Sequence, residues 1–354
     1  IRDRLATATL LTMALAGNVQ AAEIRSVGPD GEAAVDASTI ELTDDQIAQI
    51  KEGGYTAAIC LHYGGNDWST SQQKGLEDTF GELGIEIVAV TDANFSAETQ
   101  VSNIETVMAK KPDILVSIPT DATATADAYK QAAAAGIKIV FMDQRADGLE
   151  AGKDYVSVVS ADNYGNGYAS GTVLGDALGG KGKVAMVYYD ANFAPTNQRD
   201  EGFRDAMKNY PDIEIVTEQG FTDESGCAEQ GDAILTQFPN IDGIYASWDV
   251  PMEGVLSAVR AAGMEGKVTL ACNDLGNNVA REIASGNIAG GGAQMPYDQG
   301  VAEAKLAALA LLGEETPSYV AVPAETVTHE NVLEAYTDVY HVETPDWLKE
   351  AYVE

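Results

Sequence analysis

From Tyr55 onward, short apolar runs alternate with stretches of helical period almost to the end of the chain. The runs occupy 57–61, 85–90, 114–118, 138–142 and 155–159, then 184–189, 213–216, 243–246, 268–271 and 288–294. They are short, rich in Val, Ile and Tyr, and most read as strands buried on both faces. Between most of them lies a helix-length segment, and Val301, Leu306, Leu309 and Leu312 show the helical repeat with its apolar face. Strand–helix alternation of this length predicts parallel sheets covered on both sides by helices, the α/β class.

The alternation breaks once, in the middle. Between Met142 and Tyr155 there is no helical pattern, only Asp143-Gln144-Arg145-Ala146-Asp147-Gly148 and a loop. Strand then follows strand, and Ala161-Asp162-Asn163 opens a new helix. So many strands are too many for one simple open sheet of this kind, and the break marks a crossing between two lobes. The predicted division is a first lobe of 55–161 plus 295–322 and a second lobe of 162–293. Residues 23–54 read as an N-terminal extension, with Pro29-Asp30-Gly31 as a turn and Thr43-Asp44-Asp45 capping a brief helix. Residues 325–354, acidic and aromatic with Pro345-Asp346-Trp347, read as a short helical appendage at the C-terminus.

Composition adds two constraints. Fifty-five acids against 21 bases give a net charge of −34, a field that repels nucleic acids and anionic lipid surfaces. Such acidity serves solubility first. At the start, Arg2 and Arg4 precede the apolar run 5–17 and the small residues Ala21 and Ala22. This predicts an export signal over 1–22, cleaved after Ala21 or Ala22, and a periplasmic location with no stable membrane insertion. The cysteines Cys60, Cys227 and Cys272 match no zinc or redox spacing. They read as buried thiols, with Cys227–Cys272 the one pairing to test.

In open parallel sheets, ligands bind beyond the carboxyl ends of the strands. Those ends carry Gly65-Asn66-Asp67-Trp68, Pro119-Thr120-Asp121 and Asp143-Gln144-Arg145 in the first half. The second half offers Tyr189-Asp190, Ser247-Trp248-Asp249 and Asn273-Asp274, with Gln294 at the crossover back. Planar amides, carboxylates and guanidinium pair with vicinal hydroxyls two bonds at a time. Trp68 and Trp248 supply flat walls for the C–H faces of such a ligand. Strand-end Asp, Asn and Gly are also ordinary turn and cap residues, so the recurrence of polar clusters in both halves carries the reading.

Over 55–324 the chain resembles the ribose/galactose-type periplasmic sugar-binding proteins of ABC importers. The resemblance rests on Gly65-Asn66-Asp67-Trp68 with Gly75, Ile118-Pro119-Thr120-Asp121, Met142-Asp143 and Ser160-Ala161-Asp162-Asn163. It continues through Gln198-Arg199-Asp200-Glu201-Gly202-Phe203, Trp248-Asp249, Asn273-Asp274 and Ala293-Gln294-Met295-Pro296. It implies a two-lobed type I periplasmic binding fold whose interlobe cleft closes on a monosaccharide or sugar alcohol. It also implies an ABC importer permease as partner, a monomer, and neither cofactor nor metal. The ligand-contacting positions so implied are Asn66, Trp68, Asp143, Asn197, Trp248, Asp274 and Gln294. Asp121 lies beside the cleft, Phe193 is a wall, and Arg145, at the end of the fourth strand, is a further ligand-binding candidate. The chain departs from the family where Gln144 follows the aspartate in place of arginine, and where Ser69 follows Trp68. Asn197 reads as a further departure, standing for a ligand-binding arginine with Arg199 two residues on.

An enzyme lacks support. His62, His329 and His341 are the only histidines, and neither a nucleophile elbow nor a phosphate loop is present. Gly165, Gly167 and Gly171 miss the dinucleotide spacing, and Asp143 with Asp274 reads as two hydroxyl acceptors before a glycosidase pair. A sugar-sensing repressor would need a DNA-binding head and a basic surface. The same fold serving a chemoreceptor or sensor, with a signalling molecule such as a furanosyl borate ester as ligand, remains the alternative.

Overall fold

The computed structural model describes residues 23–354, so the segment read as an export signal lies outside the described residues. In chain order the strands are β1 (Val35–Asp36), β2 (Thr56–Leu61), β3 (Glu86–Asp92), β4 (Ile114–Ser117), β5 (Lys138–Met142) and β6 (Ser157–Ala161). Then come β7 (Lys181–Tyr189), β8 (Asp212–Phe221), β9 (Gly243–Ala246), β10 (Thr269–Cys272), β11 (Gly290–Ala293), β12 (Tyr319–Val322) and β13 (Glu325–Thr328). The helices are α1 (Asp44–Gly53), α2 (Asp67–Glu82), α3 (Ala97–Ala109), α4 (Ala126–Ala134), α5 (Asn163–Ala177) and α6 (Ala194–Met207). They continue with α7 (Cys227–Gln237), α8 (Asp249–Ala261), α9 (Asn277–Ala284), α10 (Pro296–Leu311), α11 (Val332–Tyr340) and α12 (Asp346–Ala351).

These elements build two sheets. The first runs β1-β12-β6-β5-β4-β2-β3, parallel throughout. The second runs β13-β11-β10-β9-β7-β8, parallel except for β13. Burial on both faces explains the unbroken apolar runs. On β2, Ala57, Ile59 and Leu61 enter one core while Ala58 and Cys60 enter the core on the opposite face. The second sheet is likewise sandwiched between two clusters, with Ala185 and Val187 on one side and Val184 and Met186 on the other. The chain changes lobe three times, between β6 and α5, between β11 and α10, and between β12 and β13.

Two sequence expectations need correction. The C-terminal tail is not an appendage. β13 adds antiparallel to β11, and Val327, Val332, Ala335, Val339 and Leu348 are buried in the core of the second lobe. The N-terminal extension is likewise integrated, because β1 pairs with β12 at the edge of the first sheet. Both terminal segments cover strand edges that would otherwise present unpaired backbone, a long-range task that local pattern does not announce. All three cysteines are free and buried. Among the described residues no helix is long and apolar enough to cross a membrane.

Candidate functional site

The carboxyl ends of both sheets face each other across a cleft. Asp143 follows β5 and Asp274 follows β10, and both hold a left-handed backbone, with φ of 55° and 70°. Non-glycine residues enter this region rarely, and at functional positions the strain serves to aim a side chain. Asp143 Oδ1 accepts from Ser160 Oγ at 2.8 Å and from Gln299 Nε2 at 3.4 Å. Burial pushes its carboxyl above the usual range, and nearby Arg199 works against that rise.

Arg199 is the centre of the polar floor. It is 4% exposed, and its Nε donates to Asn163 Oδ1 at 2.8 Å. Nη1 donates to Ser247 O at 3.2 Å and to Asp274 Oδ2 at 3.1 Å. Burial opposes its charge, but Asp274 and Asp143 outweigh burial and hold the guanidinium protonated. Gln294 Nε2 in turn donates to Asp274 Oδ1 at 2.8 Å, while its own Oε1 is buried without a partner. Asp249 accepts from the backbone N–H of Val250 and of Gly276, and burial together with Asp274 drives its carboxyl well up.

The opposite wall is aromatic and comes from both lobes. His62 stacks on Phe193 at 5.5 Å and meets Trp68 and Phe95 edge-on at 5.8 and 5.3 Å. Tyr63 stacks on Phe95 at 4.2 Å, and Tyr189 meets Trp248 edge-on at 5.6 Å. Burial lowers His62 to about 3, so its ring is neutral at physiological pH. His62 Nδ1 and Trp68 Nε1 are buried without partners. With Gln294 Oε1 they are buried polar atoms without a protein partner on residues that line this cleft.

Of the ten residues singled out from the sequence, Trp68, Asp143, Phe193, Trp248, Asp274 and Gln294 line this cleft. Four do not. Asn66 caps α2, accepting from Ser69 N at 2.7 Å. Asp121 closes a turn on Thr123 N and Ala124 N. Arg145 forms a bidentate pair with Asp30, at 2.7 and 2.8 Å. Asn197 points into solvent on α6.

The last case has a geometric cause. Pro195, Thr196 and Arg199 share the face of α6 that lines the cleft, whereas two residues of helix turn a side chain by roughly 200°. Arg199, not Asn197, therefore lines the cleft. Gln144 has a visible role. Its Nε2 donates to Pro119 O in the first lobe, and its Oε1 accepts from Ala194 N of the second. His62, Tyr63, Phe95 and Tyr189 escaped the sequence reading as site residues. Tyr189 and Asp249 stood at strand ends and were legible as candidates, but nothing local separates His62, Tyr63 or Phe95 from core aromatics. Among the described residues no group of three or more metal-ligating side chains comes together.

Comparison with known proteins agrees with this architecture. A family model described as a periplasmic binding protein domain matches residues 54–315. The D-ribose/D-allose-binding protein of Pseudomonas aeruginosa is 29% identical over 273 residues, 74% of this chain and 83% of that protein. The ribose import binding protein of Bacillus subtilis is 27% identical over 213 residues, 60% of this chain and 67% of that protein. An ABC transporter solute-binding protein from Actinobacillus succinogenes with bound D-allose superposes with a TM-score of 0.72 at 29% identity, covering 78% of this chain and 99% of that one. One from Agrobacterium vitis bound with alpha-D-tagatopyranose gives 0.75 at 25% identity, over 82% of this chain and all of that one (100%). Two parallel lobes, a cleft at their facing strand ends and a match across the core of the chain place this protein in the periplasmic binding protein domain family, whose members are substrate-binding proteins of ABC transporters and not enzymes.

Proposed function

We propose that this protein is the sugar-capturing component of an ABC importer, closing its two lobes on one uncharged monosaccharide or sugar alcohol. The observation that carries the reading is the convergence of Asp143, Arg199, Asp274 and Gln294 from both lobes, opposite an aromatic wall with unmet donors and acceptors. Hydroxyl pairs bridge carboxylate and guanidinium, while the C–H face of the ligand rests on Trp68 and its neighbours. Three aspartates to one arginine line the cleft, which disfavours a sugar acid. The relatives named for ribose and allose support the same size class. The protein acts in the periplasm as a monomer, with its export signal removed after Ala21 or Ala22, and presents its closed form to a membrane permease.

A thermal-shift panel of D-allose, D-ribose, D-tagatose, myo-inositol, D-gluconate and amino acids tests this. A ligand at ~100 times its dissociation constant adds about 2.7 kcal/mol of stability. A shift with a neutral sugar or polyol that is lost in Asp143→Ala and Arg199→Ala is the expected outcome. A shift with amino acids alone, or undiminished sugar affinity in both variants, would overturn the reading.

A further inference from the structure

The short segment that follows β10 is held at every residue. Asp274 belongs to the polar floor, and Leu275 O accepts from the Tyr340 hydroxyl at 2.7 Å. Gly276 N donates to Asp249 Oδ2 at 2.9 Å. A Cβ at position 276 would come within 2.2 Å of that same oxygen and 3.2 Å of Asp67 Oδ2, so any larger residue would press on the carboxylates of Asp249 and Asp67. Asn277 then reaches across the cleft. Its backbone N–H donates to Asp67 Oδ2 at 2.7 Å and its Nδ2 donates to Asp67 Oδ1 at 2.9 Å. Asp67 opens α2 of the first lobe, and Asn277 opens α9 of the second. The carboxylate thus sits at two helix N-termini, where the dipoles favour it. Asn277 Oδ1 is occupied from behind by the Tyr336 hydroxyl at 2.5 Å.

Tyr336 and Tyr340 both lie on α11, beyond the residues that match the family model. We propose that Asp67 and Asn277 form a latch that holds the closed cleft. Tyr336 and Tyr340 of the C-terminal tail are positioning residues that keep the second-lobe half of that latch, and Asp274 within it, in place. The tail therefore tunes how long a captured sugar stays. Tyr336 fixes the amide orientation of Asn277, because an Oδ1 engaged by a hydroxyl leaves Nδ2 for the carboxylate. Because the Asp67–Asn277 pair spans the two lobes, parting them must break it, so the latch acts on release and not on capture.

This inference rests on the sugar-binding reading, and the test separates the two. With D-allose, D-ribose and myo-inositol as probes, Asp67→Ala should raise the dissociation rate about tenfold and leave association unchanged. Tyr336→Phe should raise it about threefold in the otherwise native protein and have no further effect in an Asp67→Ala background. Amide exchange should be slower at Asn277 in the native protein than in Asp67→Ala. Failure of all three probes to bind the native protein would overturn the functional reading. Equal exchange at Asn277 in both proteins, with the probes absent and present, would overturn the latch. So would additive effects of Asp67→Ala and Tyr336→Phe on dissociation.

Discussion

Arg199 carries its charge in a nearly dry setting because Asp274 pairs with it at 3.1 Å and Asn163 and Ser247 absorb further donors. The next residue, Asp200, faces the other way, into the second lobe, where it accepts from Ser247 Oγ at 2.7 Å and Tyr245 OH at 3.2 Å. Burial pushes its carboxyl up to about 7. In the unfolded chain it titrates near ~3.8–3.9, so between these values the folded state holds a proton that the unfolded state has released. Stability is therefore lost as pH rises through that window, by up to about 1.4 kcal/mol per pH unit from this group. Asp200→Asn keeps the hydrogen-bonding shape without titrating. Its stability relative to the native protein should grow from pH 4 to pH 7, measured by urea unfolding, and a pH-independent difference would disprove the assignment. The residue types were legible in the sequence, but their facing was not. Arg199 and Asn197 both sit in one helical stretch, and only the rotation of α6 decides which side chain enters the cleft.

At the scale of elements, α6 is aimed by its contact with α5. A Cβ at Gly167 would lie 1.8 Å from Arg199 O, and one at Gly202 would lie 2.1 Å from Tyr164 O. The obstructing atoms are backbone, so neither helix can yield without moving as a unit. Gly202→Ala should cost about 1–3 kcal/mol by overpacking and also weaken sugar binding, because it displaces the helix that presents Arg199. Gly81→Ala is the control, with open space around its Cβ on α2. Denaturant midpoints and D-allose titration of both variants check this, and equal behaviour of the two would refute it. Ten of the thirteen described strands fall on the apolar runs, since strands buried on both faces have little choice of composition, while β1, β12 and β13 were not among those runs. Strand ends were less sharp. β8 extends over Asp212–Phe221, with an exposed and half-exposed pattern that a short apolar core at 213–216 does not announce.

Across the whole molecule, a net charge of −34 acts on a structure in two halves. Self-repulsion among surface carboxylates opposes the compact state and is screened by salt, whose reach falls to about 3 Å at 1 M. Thermal unfolding in KCl from 0.05 to 1 M should shift upward by roughly 2–4 °C for each kcal/mol of repulsion relieved. An unchanged midpoint would mean the acids are already compensated locally. What the sequence determined by itself was the alternation of elements, the α/β class, the change of lobe after Ala161 and the polar chemistry at the strand ends. These are properties of local period and composition, which each segment expresses without reference to the others. Tertiary structure decided the rest. It placed Arg199 and not Asn197 on the cleft, and it spent Arg145 on Asp30 and Asn66 on a helix cap. It gathered His62, Phe95 and Phe193 into one wall, and it drew the C-terminal tail into the second sheet behind Asn277. Apart from the Asn66 cap, which is a local contact three residues long, each of these depends on a partner more than twenty residues away or on the rotation of a helix, and a local pattern carries neither.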